Sequence, residues 1–393
     1  MSENHALNHE EADAEPNQLP DISVETNGTE RQEASVLSPF GAVIHQISAT
    51  PQRLHPAVVA RRNQLQHPLI AQTEPVLTPP VSRIFSAVEQ SALSGLSGSY
   101  ICGNHGDGVS MAISYSKQVL PTRIPGIVTF YHSFGASIDS GDRDTVSAFA
   151  NSCGVGVLQG RTADLRVRLL RHIVVRTRTS ELRTAVFFFD NVHHMHDWDI
   201  AILYDIRHEL VANRLAVNFF AGTFYSDIAA LDQRMKKEAT SRSRRSAVAQ
   251  HPSLKSSIIE RDLGFTSIGT YEELRSLFRS VDTLRDRSQK TWTAHFLPQA
   301  VKKGYLFENE AETLFRMLDK NDGWTKAGFS TKALFACIRR FLTKAKSFDD
   351  SRSAPAGLDE KLWAEALEAS CFVDRMDEKM SDGVNNGYTG SEE

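Results

Sequence analysis

Cysteine is scarce in this 393-residue chain: there are four, Cys102, Cys153, Cys337 and Cys371, and none falls in a C-x-x-C pair. That spacing supports neither a zinc ribbon nor a disulfide framework, and so few thiols on this length suit a reducing compartment. Long apolar runs are missing too. The most apolar stretches, Ala185–Phe189 and Phe219–Ala221, are far too short to cross a bilayer, and the first residues carry no basic-then-apolar leader. A soluble, cytoplasmic protein with no membrane partner is the expectation.

Hydrophobic residues make up 41% of the chain and charged residues 23%, which is enough apolar material for one large domain or two ordinary ones. The net charge of -4 is unevenly spread. Residues 1–35 hold nine acids against Arg31 alone, and residues 374–393 hold six against Arg375 and Lys379, so the body between them is basic. A basic body is compatible with a polyanionic partner. Both acidic ends lack apolar periodicity and are expected to be disordered tails. Between them the text divides into an N-terminal extension (36–94) with Pro79–Pro80, an α/β core (95–268) and an all-helical domain (269–373).

The core reading rests on alternation. Strands are expected at Ser99–Cys102, Ile127–Tyr131, Thr184–Asp190 and Leu215–Ala221. Helices are expected at Ser110–Val119, Thr145–Ser152, Asp164–Arg176, Trp198–Ala212 and Asp227–Arg234. Such spacing calls for a parallel sheet covered on both faces. After about residue 270 only helical patterns remain, at Tyr271–Arg287, Ala300–Leu318, Thr331–Lys344 and Asp359–Ser370.

Three strand ends carry chemistry. The first runs into Gly103-Asn104-His105-Gly106-Asp107-Gly108-Val109-Ser110, which has the spacing of a phosphate loop. Gly103, Gly106 and Gly108 sit where backbone N–H groups must cradle phosphates, and Ser110 where a hydroxyl would hold Mg²⁺. Val109 replaces the lysine that should reach the terminal phosphates, and Asp107 adds a negative charge to a loop meant for an anion. Lys117 lies roughly 12 Å further along the helix, too far to substitute. The second strand end places Asp190 for Mg²⁺, but Asn191 stands where a glutamate would accept a proton from the attacking water. The third ends in Gly222-Thr223, with Thr223 placed to touch a phosphate or that water. Two losses in one site point to weak or absent ATP hydrolysis.

A basic stretch follows. Arg234, Lys236, Lys237 and Lys255 are candidates for DNA-backbone contact, and Arg242, Arg244 and Arg245 for an arginine finger reaching a neighbouring subunit. Arginines between Arg161 and Arg183 either line a DNA channel or form the wet face of a helix. His193, His194 and His196 with Asp190, Asp197 and Asp199 are rich in metal-capable groups, yet match no established two-histidine ligand spacing. No metal is expected beyond Mg²⁺ at Ser110 and Asp190.

From about 95 to 345 the chain resembles the TniB/TnsC family of AAA+ transposition regulators. The likeness is carried by Gly103–Ser110, Asp190-Asn191-Val192-His193-His194, Gly222-Thr223 with Ser241-Arg242-Ser243-Arg244, and Trp292-Thr293-Ala294-His295-Phe296-Leu297-Pro298. It implies a P-loop AAA+ sheet flanked by helices, a small helical lid, and ATP with Mg²⁺ between subunits. It further implies a ring or filament on duplex DNA that links target-selection proteins to a transposase. The main rivals are a nucleotide-gated switch that binds protein and not DNA, and an active ATPase with an unusual phosphate loop.

Overall fold

The computed structural model describes residues 65–72, 75–95, 98–135, 141–231, 233, 261–286, 288–320, 322–350 and 360–386. All of them lie in one unit, Ala60–Glu393. Arg234, Lys236, Lys237, Arg242, Arg244, Arg245 and Lys255 lie outside the described residues, as do the expected tail 1–35, the extension up to 64 and the part of the expected C-terminal tail beyond 386.

A short helix α1 (Pro68–Ala71) and a longer α2 (Pro79–Ser94) precede the sheet. Thr78 caps α2, its hydroxyl accepting from Val81 N–H, with prolines at the first two helical positions where no backbone donor is lost. The core then alternates β1 (Gly98–Gly103), α3 (Val109–Arg123), β2 (Ile127–Ser133), α4 (Asp142–Ser152), α5 (Thr162–Arg178), β3 (Thr184–Asp190), α6 (Asp197–Ala212), β4 (Ala216–Phe224) and β5 (Arg261–Gly264). The five strands form one parallel sheet in the order β2-β3-β4-β1-β5. Every residue of β1 is buried and so is β3 after its first, because helices cover both faces of a parallel sheet. The Phe187–Phe189 run of β3 pairs with Phe219 and Phe220 of β4, and the rings of Phe188 and Phe220 stack at 5.6 Å.

Strand β5 was not legible from the pattern. Its four residues, Arg-Asp-Leu-Gly, bury only Leu263, and it exists because β1 offers a free edge to Arg261–Gly264.

The helical domain runs through α7 (Tyr271–Thr283), α8 (Trp292–Phe296), α9 (Pro298–Lys302), α10 (Glu310–Leu318), α11 (Asp322–Ala327), α12 (Thr331–Asp350), α13 (Glu360–Ala369) and α14 (Phe372–Asn386). Thr270 and Glu273 form a reciprocal capping box at the start of α7. The sheet and this domain together match the expected architecture, a parallel α/β sheet flanked by helices and followed by a small all-helical domain.

Two expectations are corrected. Ala300–Leu318 is not one helix: the chain leaves α9 at Gly304, whose φ of 86° a side chain would resist, and passes through a 3-10 turn at Phe307–Asn309 before α10 begins. Residues 374–386 do not form an acidic tail but belong to α14. Phe372, Met376 and Lys379 recur at helical spacing and are all buried, a stripe that the net charge of the segment conceals.

His132 of β2 is a buried core residue. Its ring stacks on Phe149 at 4.1 Å, and its Nδ1 lies 2.8 Å from Ser152 Oγ. Ser152 donates its own proton to Ala148 O, so Nδ1 carries the hydrogen and donates. Burial lowers the His132 pKa from 6.5 to about 4, so the fold favours the neutral ring. Its contribution to stability is intact above the unfolded-state value of about 6.5 and is lost as pH falls towards about 4. Urea titrations at a series of pH values are expected to give His132→Phe a shallower loss between those limits. An unchanged acid limb would count against this assignment.

Candidate functional site

The three chemistry-bearing strand ends converge at the carboxyl edge of the sheet, where open α/β sheets place their ligands. Gly103 ends β1, Asp190 ends β3, and Thr223 sits one residue from the end of β4. The loop between β1 and α3 closes on Gly108, whose φ of 115° is open to glycine and strained for other residues. Gly108 gives α3 no side-chain cap, so the first N–H groups of that helix face outward, as an anion site requires.

Ser110 Oγ donates to Asp190 Oδ1 at 2.9 Å, and Asn191 N–H donates to the same oxygen at 2.9 Å. Burial raises the Asp190 pKa, against the lowering effect of those bonds and of Tyr131. A hydroxyl and a buried carboxylate this close are hard oxygen donors suited to Mg²⁺. Thr223 is buried, and its hydroxyl has no hydrogen-bond partner among the described residues. Asn191 has a backbone reason to be asparagine. It adopts the left-handed conformation at φ 55°, which asparagine enters more readily than glutamate, and its amide donates to Ser133 Oγ at 3.1 Å.

Val109 is part of the core and not a loop side chain reaching outward. Its γ-methyls fill the space beside Gly103 and Gly222, where a Cβ would come within 2.9 and 3.0 Å of them. Lys117 is occupied elsewhere, its ammonium 4.8 Å from the centre of the Tyr131 ring.

Asp107, which looked hostile to an anion, is neutralised within the chain. Lys379 of α14 donates to Asp107 Oδ1 at 2.7 Å, to Gly328 O at 3.0 Å and to Ser267 Oγ, and both charged side chains are essentially inaccessible to water. Burial pushes the Asp107 pKa up and the Lys379 pKa down, and their mutual attraction opposes both shifts.

Beside the loop lies a cavity of about 220 Å³. One wall is Gly106, Gly108, Val109 and Ser110; the other is largely apolar, with Leu69, Val76, Trp292 and Phe335. Its two cations come from α12, Lys332 and Arg339. Arg339 has no hydrogen bond or ion pair among the described residues, and burial followed by the like charges of Arg375 and Arg340 lowers its pKa. The Thr331 hydroxyl also lines this cavity, buried and without a hydrogen-bond partner among the described residues. A half-buried guanidinium and the Thr331 hydroxyl beside a bare helix N-terminus fit a bound anion. Neither Arg339 nor Lys379 carried a sequence signal, because each reaches the loop only through the packing of the helical domain.

No family model matches the chain, and no curated relative does. Solved structures to which the chain is similar include the following two. An Aeropyrum pernix ORC1 protein in complex with DNA is 15% identical, with a TM-score of 0.44 over 77% of this chain and 68% of that one. Drosophila ORC bound to DNA is 11% identical, with a TM-score of 0.37 over 87% of this chain and 70% of that one.

The other candidates resolve less sharply. Several α5 arginines serve internal contacts: Arg166 pairs with Asp205 at 2.6 Å, Arg178 donates to Asn213 Oδ1 at 2.6 Å, and Arg168 donates to Gln159 O. Arg161, Arg171 and Arg183 are exposed, with side chains unpartnered among the described residues. Among the described residues the histidines at 193–196 do not assemble a metal site, and the one metal-capable group is His67, Asp286 and His295. Its hydrogen bonds do not leave three free ligand atoms, although His67 Nε2 is buried with no hydrogen-bond partner among the described residues. His67 Nδ1 accepts from Leu69 N–H, which leaves the proton on Nε2 and no lone pair there for a metal. Asp286 accepts from Ser288, Lys290 and His295. No described helix is long and apolar enough to cross a membrane.

Proposed function

We propose that the protein is an AAA+-like adaptor that binds a nucleotide with little or no hydrolysis, self-associates, and acts on duplex DNA as a transposition regulator. The observation that carries the nucleotide reading is the convergence of the Arg339 guanidinium, unpaired among the described residues, and the uncapped α3 N-terminus on one cavity. Ser110 and Asp190 would hold the Mg²⁺, and Arg339 with Lys332 would supply the positive charge that Val109 lacks. When bound, the nucleotide would bring its phosphates to this edge. Asn191 can orient a water there but cannot accept its proton, so turnover is not expected.

The DNA and assembly parts of the reading rest on the basic stretch Arg234–Lys255, the family resemblance and the exposed Arg161, Arg171 and Arg183. The Arg242, Arg244 and Arg245 cluster would approach a neighbour's loop. The expected result is magnesium-dependent binding of a fluorescent ATP analogue that Ser110→Ala weakens, with ATP turnover no faster than in Asp190→Asn. Duplex binding should weaken steeply as salt rises. Robust wild-type turnover would overturn the non-hydrolysing reading. Salt-insensitive or absent duplex binding would favour the protein-only switch.

A further inference from the structure

The lysine missing from the phosphate loop has a counterpart at the far end of the chain. Lys379 Nζ has three donors, and three acceptors take them: Asp107 of the loop, Ser267 of the connection after β5, and the Gly328 carbonyl just before α12. These acceptors belong to the α/β core and to the helical domain, so one ammonium joins both to the loop. The other Asp107 oxygen, Oδ2, accepts from Asn104 N–H at 3.1 Å and thereby fixes the first half of the loop. A separate contact reinforces the junction, because Gly106 O accepts from Lys332 N–H at 2.9 Å.

We propose that Lys379 is a positioning residue for the nucleotide site, so that docking of the C-terminal helix α14 controls nucleotide affinity. The inference rests on the nucleotide reading above and names its regulation. Asp107 stands between Gly106 and Gly108, which both line the cavity. Alone, its carboxylate would oppose an incoming phosphate. With an ammonium 2.7 Å away the pair presents a dipole and not a net charge, and the loop accepts an anion. Helix α14 is held in the domain by Phe372 and Met376, both fully buried, and carries Lys379 on the same face. A partner that draws α14 away removes the neutralising charge and loosens the loop together. By linkage, a bound nucleotide holds α14 down.

The test is a set of four proteins: wild type, Lys379→Met, Asp107→Asn, and the double variant. Each is titrated with a fluorescent ATP analogue and followed by hydrogen exchange at residues 104–108. Lys379→Met is expected to weaken binding about tenfold, and the double variant to recover most of that loss, because neither charge is then left alone. The double variant also covers the case in which Lys379→Met does not fold. Unfolding midpoints recorded on the same four proteins separate the roles: a merely structural pair moves the midpoint and leaves the affinity of the folded protein unchanged, whereas a positioning residue moves the affinity itself. Wild-type affinity in Lys379→Met, or a double variant as weak as the single, would overturn the proposal. If the wild type binds no nucleotide, the nucleotide reading fails separately, and exchange decides the junction alone. Faster exchange at 104–108 in Lys379→Met then supports it, and unchanged exchange overturns it.

Discussion

Changing Arg339 to alanine should move nucleotide affinity and stability in opposite directions. The guanidinium faces the cavity beside the phosphate loop, half-buried, with Arg340 and Arg375 near and no anion paired to it among the described residues. Such a group strains the empty protein through desolvation and like-charge repulsion. Removing it should leave the unfolding midpoint unchanged or slightly raised. With phosphates present the same side chain makes charge-assisted hydrogen bonds worth about 1.5–3 kcal/mol, so the variant should bind an ATP analogue about 10- to 100-fold more weakly. Thermal melts with and without nucleotide measure both effects on one sample. A lower midpoint together with unchanged affinity would make Arg339 a structural residue and empty the cavity of its assigned role.

The second large effect belongs to the helical domain. Trp363 of α13 is completely buried, its ring stacked on Phe341 with centroids 3.8 Å apart, and its Nε1–H donates to Glu310 Oε2 at 2.9 Å. Glu310 is itself buried, and its other oxygen accepts from Tyr305 OH at 3.0 Å. Trp363→Ala therefore opens a cavity and deprives a buried carboxyl of one of its two donors. The expected loss is about 4 kcal/mol or more, read from denaturant midpoints. Trp363→Phe keeps a ring against Phe341 and loses the donor together with part of the indole volume, for which a smaller loss of about 1–3 kcal/mol is expected. Equal losses in the two variants would show that the hydrogen bond, and not the packing, dominates.

What could be read from the chain in advance follows from how each feature is encoded. Strands such as Thr184–Asp190 are continuous apolar runs because the sheet is covered on both faces, so their local text is enough. The glycines of the loop between β1 and α3 are local too, since their spacing is the geometry of a single turn. Strand β5 is different. Arg261–Gly264 is polar and short, and only the waiting edge of β1 makes it a strand. The same holds for Lys379, which resembles any solvated lysine among acids until Phe372 and Met376 are seen to bury its face. Arg339 likewise lies on an ordinary amphipathic helix, and nothing in Thr331–Lys344 says which way that helix leans. Asn191 is a case where one letter had two explanations: the loss of a base, and a left-handed backbone that prefers asparagine.

The sheet order also has a consequence for synthesis. Interior strand β1 pairs with β4 on one side and β5 on the other, both of which come much later in the chain. During translation β1 therefore leaves the ribosome with both edges unpaired, and it stays so until Ala216–Phe224 and then Arg261–Gly264 emerge. Its residues, Gly-Ser-Tyr-Ile-Cys-Gly, are wholly buried in the finished fold and carry no charge to deter a stray partner. Contacts this distant in sequence form slowly. The nascent chain should accordingly depend on chaperone cover over this segment, and overexpression without it should yield aggregates whose protease-resistant core contains β1.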